Sequence, residues 1–466
     1  MMNRRMYAAA FSFLFVCIVF VQLIWLPAPF RTPSGRLWIE LIDDMLYGVA
    51  VLPLLVLIGA AAVLIRPVHK TGRVLIGIRA LTALVAATAI LLVLSDPERL
   101  LVNLAAVAAA LLLALIDGLF SEAVLAGRSR GKRLGWPKRG LIWLGSSAVL
   151  FAALLYPVPY RVTYPAMTIA MNHYAHAEGG GQGGSVSGVL VFERPAFLSD
   201  FLYGKLFPEY VFERKSKNEP PLTEAYTQVV AMKTGADDIA SAIAMQKAGI
   251  GKGVSSEGVL VAAVVKEGPS SKSLQAGDVI VSLNGSVIRS VMEMVSYMTE
   301  KVKPGDTVNV GLRRNGSETA VRVPTGEAQT DDGKPGRAVF GVSVQDELHA
   351  DKPRGVHFKH YIAHIGGPSH GAMLTLALID QLTPGGVTNG VNVAGTGTIE
   401  PDGSVGMVGG IPQKAYAVSR TDADVFFVPA EASDEARAAA PKLNIVPVQS
   451  IDDVLDWLKR HSKQIE

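Results

Sequence analysis

The feature that most constrains this fold is a series of long apolar segments in the first third of the chain. They are residues 7–26, 45–65, 74–94, 100–116 and 141–158. Helices of this length can cross the roughly 30 Å hydrocarbon core of a bilayer, so a wholly soluble protein is excluded. The third segment is the weakest, because Arg79 near its end would have to extend toward the lipid headgroups.

Positive charges between these segments predict their orientation. Clusters precede the first segment and follow the second and fourth: Arg4, Arg5, Arg66, Lys70, Arg73, Arg128, Arg130, Lys132, Arg133, Lys138 and Arg139. Loops rich in Lys and Arg stay cytoplasmic, so five spans place everything after about residue 159 outside. No convincing cleavage site follows the first segment, which we interpret as an anchor. We therefore expect a multi-pass cell-membrane protein with a cytoplasmic N-terminus and the lipid bilayer as a partner.

Composition excludes several function classes. The formal net charge is only +3, so nothing indicates nucleic-acid binding. The single cysteine, Cys17, lies in an apolar segment, which excludes an internal disulfide and argues against a thiol nucleophile. No G-x-x-x-x-G-K-[ST] motif is present, so we expect no ATPase motor and no cofactor. His357, His360 and His364 have helical spacing, but their segment favours a strand that would scatter them, so we expect no metal.

From residue 159 onward, charged residues, glycines and short alternating stretches replace the apolar runs. This region is long enough for two or three soluble domains. The stretch "EGGGQGG" at 178–184 indicates a loop between two strands or a structureless linker. Residues 223–250 have helical periodicity, and we expect one or two packed helices there without a chemical role.

Residues 258–323 alternate short strands with turns and contain one helical stretch, "SVMEMVSYMTEKV". In "EGPSSKSLQAGDVIVSLNG" followed by that helix and "KPGDTVNVGLRRNG", the sequence resembles a PDZ domain of the bacterial type. The resemblance implies a module that adds an extended peptide, often a chain end, to a strand beside its helix. The alternative is a module that only braces its neighbour.

"HIGGPSHGAM", at 364–373, places Ser369 before a strongly apolar helical pattern. Serine is a favoured N-cap, and a nucleophile at a helix start could use free backbone N–H groups for an oxyanion. G-P-S-H-G also fits the G-x-S-x-G elbow of α/β-hydrolases, which requires a downstream Asp and His. Only His370 and His461 follow, and fewer than 100 residues remain, so that interpretation is poor.

A lysine is the better candidate base. In "GGIPQKAYAVSR", Pro412 favours a helix start and places Lys414 in the first turn. There the helix dipole and burial would lower the lysine pKa and let a neutral amine take the Ser369 proton. The alternative for an isolated lysine in a first turn is a solvated surface charge.

The stretches "IGGPSHGAMLTLALIDQLTPGG", "VAGTGTIEPDGSVGMVGGIPQK" and "ADVFFVPA" resemble the proteolytic domain of Lon-type proteases. The order of the domains further resembles the membrane-tethered PDZ-Lon proteins of Gram-positive bacteria. The resemblance implies Ser369 as nucleophile, Lys414 as general base and Thr396 as the threonine that orients the lysine. Gly367 and His370 are supporting positions. His370 departs from the family, which usually has a small residue there.

The sequence thus predicts a multi-domain protein: an α-helical membrane region, an α+β PDZ-like domain and an α+β Lon-type proteolytic domain. We expect the membrane region at 1–158, an extracytoplasmic connecting region packed with the PDZ at 159–250, the PDZ at 251–330 and the protease at 331–466. The predicted activity is an ATP-independent serine endopeptidase acting on peptide or protein substrates. Alternatives are a non-catalytic scaffold or chaperone-like protein, and a membrane sensor or channel regulated by the soluble part. Lon-like domains often form rings, so a homo-oligomer is an open alternative to a single chain.

Overall fold

The structure is a computed structural model that describes residues 2–26, 46–65, 73–97, 99–128, 134–216, 222–328, 336–359 and 367–461. The described part before residue 156 is dominated by α1 (Met2–Gln22), α2 (Val51–Ile65), α3 (Arg73–Ser95), α4 (Leu100–Arg128) and α5 (Lys138–Leu155). Five described helical segments are long and apolar enough to cross a membrane. The second of them consists of α2 and the residues just before it, Leu46–Ile65 in total. The first third of the chain therefore has the elements that the apolar pattern predicts.

A buried ion pair explains why α4 is longer than predicted. The sequence placed the end of the fourth apolar segment at residue 116, yet the helix continues to Arg128. Asp117 is fully buried and accepts hydrogen bonds from Tyr7 Oη at 2.9 Å and Arg79 Nε at 3.1 Å. The expectation that Arg79 extends toward the headgroups is therefore wrong. The arginine is buried and paired inside the helix bundle, where its partner balances its charge.

The described elements after α5 form two six-stranded sheets, three two-stranded sheets and the helices that pack on them. In chain order they are β1 (Pro157–Ala170), α6 (Met171–Tyr174), β2 (Ala175–Ala177), β3 (Val186–Phe197), α7 (Leu198–Leu206), β4 (Val211–Arg214), α8 (Leu222–Lys247), β5 (Gly253–Val264), β6 (Val279–Leu283), β7 (Ser286–Val287), α9 (Val291–Lys301), β8 (Thr307–Arg314), β9 (Ser317–Pro324), β10 (Gly326–Glu327), β11 (Ala338–Val339), β12 (Val342–Asp351), β13 (Val356–Phe358), α10 (Gly371–Leu382), β14 (Val393–Gly395), β15 (Thr398–Ile399), β16 (Val405–Gly406), α11 (Ile411–Ser419), β17 (Val425–Pro429), α12 (Ser433–Ala439), β18 (Ile445–Val448) and α13 (Ile451–Arg460).

The larger unit is built on a six-stranded sheet in the order β18-β17-β14-β3-β1-β4. Its central strand β14 runs parallel to both neighbours: Val393 pairs with Val186 of β3 and Val425 of β17. Because β1 and β3 belong to this sheet, part of the segment 159–250 is built into the unit that carries the C-terminal residues. The sequence showed two strands flanking the glycine-rich loop, but not the partner of those strands, since pairing between distant segments leaves no local pattern.

Strand alternation gives this sheet two buried faces. In β17, Val425 and Phe427 join a core with α8, α10 and α13, while Phe426 and Val428 join a second core with α11 and α12. Every residue of α10 is buried, including the polar Thr375, Asp380 and Gln381, and the rest of its sequence is apolar. The sheet is therefore covered by helices on both sides, and loops at the strand ends are the places left for a site.

The smaller unit is a sheet in the order β12-β5-β6-β8-β9, with β7 paired to β6 and the helix α9 packed on it. The predicted helix within 258–323 is confirmed as α9. Strand β12 lies at the edge and pairs antiparallel with β5 over its full length, from Val342 to Asp351. This edge strand comes from residues after the stretch that carried the PDZ resemblance.

The end of the first helix contacts the larger soluble unit. Trp25 Nε1 donates to Tyr210 Oη at 3.0 Å, and the Trp25 ring packs edge-on against Tyr416 of α11. Arg420, just after α11, donates to the Leu26 carbonyl at 3.2 Å. The turn that follows α1 thus packs directly against α11, the helix that carries Lys414, and against the residue just after it.

Candidate active site

Ser369 lies in a turn immediately before α10. The N-cap of that helix is His370, and the Gly371 N–H donates to the Pro368 carbonyl at 3.0 Å to close the turn. In the described part of the chain, the Ser369 hydroxyl makes no hydrogen bond, so the serine does not act as a side-chain cap. The backbone N–H groups of Ser369 and His370 also lack acceptors among the described residues. This turn therefore presents a half-buried hydroxyl beside N–H groups that are free to bind an oxyanion.

Gly367 gives the turn its shape. Its φ is +96°, in the region that L-residues with a side chain rarely adopt. Open space surrounds the position where a Cβ would stand, so the requirement for glycine is conformational. Gly367 thus has a supporting role through the backbone, two residues before Ser369.

Thr396 follows the central strand β14 and holds the Ser369 turn. Its hydroxyl donates to the Ser369 carbonyl at 3.1 Å, and the adjacent Gly397 N–H donates to the same oxygen at 2.9 Å. The Ala372 N–H returns a hydrogen bond to the Gly397 carbonyl at 3.1 Å. The Ser369 turn is therefore fixed to the carboxyl end of a buried parallel strand, where α/β folds usually place their sites.

Lys414 is the fourth residue of α11, which begins at Ile411, one residue before Pro412. The N-cap of α11 is Gly410, whose φ of +69° favours glycine. A Cβ at this position would also come within 2.8 Å of the Val191 side chain. The lysine is only 1% exposed and belongs to no described ion pair. Burial lowers the pKa of the Lys414 amine to about 7. The expectation of a solvated surface charge is therefore wrong, and the amine is substantially neutral near physiological pH.

A single hydroxyl joins the lysine to the serine turn. Lys414 Nζ donates to Thr396 Oγ1 at 3.0 Å, and Thr396 donates in turn to the Ser369 carbonyl. A neutral amine that donates one N–H to Thr396 keeps its lone pair available for another proton. No hydrogen bond links Ser369 Oγ to Lys414 Nζ among the described residues. Catalytic hydrogen bonds commonly form or tighten only when substrate binds.

The His370 side chain lies in a buried polar cluster. Its Nε2 lies 2.8 Å from Asp237 Oδ1 of α8, and both side chains are less than 10% exposed. Residues 223–250 were expected to have no chemical role, yet α8 supplies this carboxylate. No sequence signal indicated this contact, because it joins residues 133 positions apart in the chain.

The described residues contain no cluster of three or more His, Cys, Asp or Glu side chains arranged to hold a metal. His357 lies in the short strand β13 and pairs with Glu178 at 3.2 Å. His360 and His364, which completed the helical spacing, lie outside the described residues. The site residues that the structure brings together are Ser369, Thr396 and Lys414.

Removing the Thr396 hydroxyl is expected to impair catalysis more than binding. Thr396→Val keeps the shape but loses the hydrogen bonds to Lys414 and to Ser369, so we expect kcat to fall by about 10- to 100-fold with little change in KM. Thr396→Ser retains the hydroxyl and should keep most of the activity. Steady-state kinetics of both variants checks this, and a fully active valine variant would show that the bridge has no orienting role.

Comparison with known domain families agrees with this geometry. Residues 240–325 match the PDZ domain family, and residues 339–460 match the Lon protease (S16) C-terminal proteolytic domain. The chain therefore consists of an N-terminal region of apolar helices, a PDZ domain and a Lon-type proteolytic domain. This class of domains supports a serine protease, and Ser369, Thr396 and Lys414 all lie in the second match.

Individual relatives match single domains. A Lon protease of Aster yellows witches'-broom phytoplasma is 28% identical over 117 residues, which cover 24% of this chain and 14% of that protein. A probable periplasmic serine endoprotease DegP-like of Pseudomonas fulva is 39% identical over 77 residues, or 16% of each chain. The PDZ domain of the SdrC-like protein from Listeria monocytogenes is 28% identical over 19% of this chain and 87% of its own, with a TM-score of 0.17. This chain thus spans about one seventh of the two curated relatives named.

Proposed function

We propose that the protein is an ATP-independent, membrane-tethered serine endopeptidase that uses Ser369 and Lys414 as a catalytic dyad. The observation that carries this proposal is the buried Lys414 amine, held toward the serine turn by Thr396 and without a carboxylate partner among the described residues. A structural lysine would normally be exposed or paired, because burying an uncompensated charge is costly. A lowered pKa beside a nucleophile is what a general base at neutral pH requires.

The chemistry follows in two steps. Ser369 Oγ attacks the substrate carbonyl carbon while its proton moves to the neutral Lys414 amine, and the Ser369 and His370 N–H groups bind the oxyanion. The ammonium then protonates the leaving amine as the peptide C–N bond breaks, which gives an acyl-enzyme. A water molecule attacks the ester and gives a proton to Lys414. Collapse of this second intermediate releases the new carboxyl end and returns the proton to Ser369.

Substrate recruitment is assigned to the free edge of the PDZ sheet. Within the described part of the chain, strand β12 has a sheet neighbour, β5, on one side only, and α9 packs close by, since the Val291 N–H donates to Asp346 Oδ1 at 2.6 Å. An extended peptide can add to such an edge through backbone hydrogen bonds. The chain continues from β12 through β13 toward Ser369, so a peptide held there is delivered near the protease. No nucleotide-driven unfolding is needed if the substrate arrives extended.

A peptide titration tests this mode of recruitment. We expect a fluorescent peptide with a free C-terminus to bind saturably to the full-length protein in detergent. The same peptide N-methylated at alternate amides should lose at least about tenfold in affinity, because it cannot complete the strand hydrogen bonds. Equal binding of the two peptides, or no saturable binding, would remove the strand-addition claim.

The membrane placement is part of the proposal. In this proposal the apolar helices tether the protein, with the N-terminus in the cytoplasm and the PDZ and protease domains outside, and the distribution of Lys and Arg supports this orientation. The resemblance to tethered PDZ-Lon proteins favours a Gram-positive host. Digestion of intact cells with an added protease tests on which side of the membrane the PDZ and protease domains lie.

The proposed activity is tested with purified full-length protein and an unfolded, casein-like substrate without nucleotide. We expect cleavage by the wild type and by Ser419→Ala, which removes an exposed serine at the end of α11. Ser369→Ala should give none. Substrate binding without cleavage by the wild type would reject the endopeptidase and support the scaffold alternative.

A further inference from the structure

A buried charged cluster lies next to the nucleophile turn, and the Ser369–Lys414 chemistry does not use it. Its members are Tyr174, Lys233, Asp237 and His370. Asp237 is the hub, since its carboxylate accepts from Tyr174 Oη at 2.9 Å and from Lys233 Nζ at 3.0 Å, in addition to the contact with His370 Nε2. Tyr174 and Lys233 also contact each other directly.

The protonation of this cluster follows from its contacts. Burial would raise the pKa of Asp237, but the hydrogen bond from His370 and the charge of Lys233 hold it below its ordinary value. An ionised carboxylate only accepts hydrogen bonds, so the His370 Nε2 atom carries a proton and donates it. A charge-assisted bond between two buried groups is strong and restricts the imidazole to one orientation.

His370 transmits this restriction to the nucleophile through the backbone. It follows Ser369 directly and is the N-cap of α10, where the Leu374 N–H donates to its carbonyl at 2.9 Å. Its ring also packs edge-on against Tyr174 at 5.5 Å. The turn is thus held on one side by Thr396 and Gly397, and on the other by the side chain of His370.

The helix that supplies Asp237 also contacts the PDZ domain. The end of α8 lies within the PDZ match, while Ile243 and Met245 pack in the core that contains α10. Asp238, the next residue, forms an ion pair with Lys352 just after the edge strand β12. One helix therefore contacts the nucleophile turn, the protease core and the end of the proposed peptide-binding strand.

We propose that His370 is a positioning residue: the Asp237–His370 bond clamps the Ser369 turn to α8 and sets the nucleophile geometry from the helix that joins the PDZ domain to the protease. The kinetic consequence of this clamp rests on the proposed endopeptidase activity. The structural consequence of the clamp, a more ordered Ser369 turn, does not rest on that activity. His370 does not take the substrate proton.

Asp237→Asn is the primary test variant, and Asp456→Asn is its matched control, the same change at an exposed carboxylate of α13 that pairs only with Lys459 among the described residues. Loss of the carboxylate weakens the bonds to His370 and Lys233 with almost no change in shape. We expect a 10- to 50-fold lower kcat for Asp237→Asn with KM within about twofold of wild type. Asp456→Asn should keep the wild-type kcat. His370→Gln, which can still donate to Asp237, should retain more activity than His370→Ala.

Hydrogen exchange of the Gly371 and Ala372 N–H groups, which donate to the Pro368 and Gly397 carbonyls, gives a readout that does not depend on turnover. We expect at least tenfold faster exchange in Asp237→Asn, no change in Asp456→Asn, and intermediate exchange in His370→Gln. Melting curves of all variants show that each is folded. Unchanged exchange in folded Asp237→Asn and His370→Ala would overturn the clamp, even if the wild type is an active protease. Altered exchange with no wild-type turnover would support the clamp and reject only the endopeptidase.

The pH profile separates positioning from direct proton transfer. In His370→Gln we expect a lower plateau of kcat/KM with the midpoint of the acid limb at the wild-type pH, because Lys414 remains the base. A shifted or missing acid limb in this variant would instead make His370 the titrating catalytic group and overturn its assignment as a positioning residue.

Discussion

Replacing Lys414 by arginine or methionine is expected to lower kcat by at least about 10³-fold. Arginine keeps the positive charge and much of the length, but its guanidinium stays protonated at any working pH and cannot act as a base. Methionine fills a similar volume without an amine. Both variants should therefore lose kcat to the same extent, although only Lys414→Met removes the charge. Turnover of an uncharged peptide by each purified variant gives the measurement.

Combining this change with Ser369→Ala provides the control for a dyad. Residues that act as one catalytic unit show non-additive losses, so Ser369→Ala/Lys414→Met should be no slower than the worse single variant. Substantial activity in Lys414→Arg would contradict a neutral-amine base. Additive losses would show that the two residues contribute through separate steps.

Lys414→Met is also expected to stabilise the folded protein. The pKa of Lys414 falls from 10.5 to about 7 on folding, so between these pH values the unfolded state binds more protons than the folded state. The lysine therefore destabilises the fold most at and below pH 7, and this cost disappears as pH rises toward 10.5. After allowance for the lost hydrogen bond to Thr396, we expect a gain on the order of 2 kcal/mol near pH 7.5.

Thermal melting of the full-length protein in detergent checks this gain. For a folded unit of about 200 residues, this gain in the free energy of unfolding corresponds to a rise of roughly 4–8 °C in Tm. The difference between Lys414→Met and wild type should shrink between pH 7.5 and pH 10. Lys442→Met, which removes an exposed lysine of the same domain, should leave Tm nearly unchanged. A less stable Lys414→Met, or a gain that is the same at both pH values, would contradict a charge penalty at this position.

The candidate site was largely predictable because its signals are local. The double glycine and Pro412 mark the start of α11, and the apolar run after Ser369 marks α10. Helix starts and uniformly buried helices are written in a few consecutive residues. The role of Thr396 came only with the Lon resemblance, since a lone threonine after a short strand carries no signal of its own.

What the sequence did not predict depends on contacts between distant segments. The predicted fourth segment ended before Asp117, whose carboxylate accepts hydrogen bonds from Tyr7 and Arg79 inside the helix bundle. The contact of Asp237 with His370 and that of Trp25 with Tyr416 join segments far apart in the chain. Periodicity and capping rules describe neighbours along a helix or strand, so they cannot report which helix a buried carboxylate will face.

The pH dependence of kcat/KM for an uncharged peptide substrate tests most directly whether a neutral Lys414 activates Ser369. The free-enzyme profile reports the pKa of the essential base. Our account predicts an acid limb with a midpoint near pH 7, the value that burial gives Lys414, followed by a plateau at higher pH. A flat profile from pH 5.5 to 9, or a midpoint near the ordinary lysine pKa of about 10.4, would contradict it.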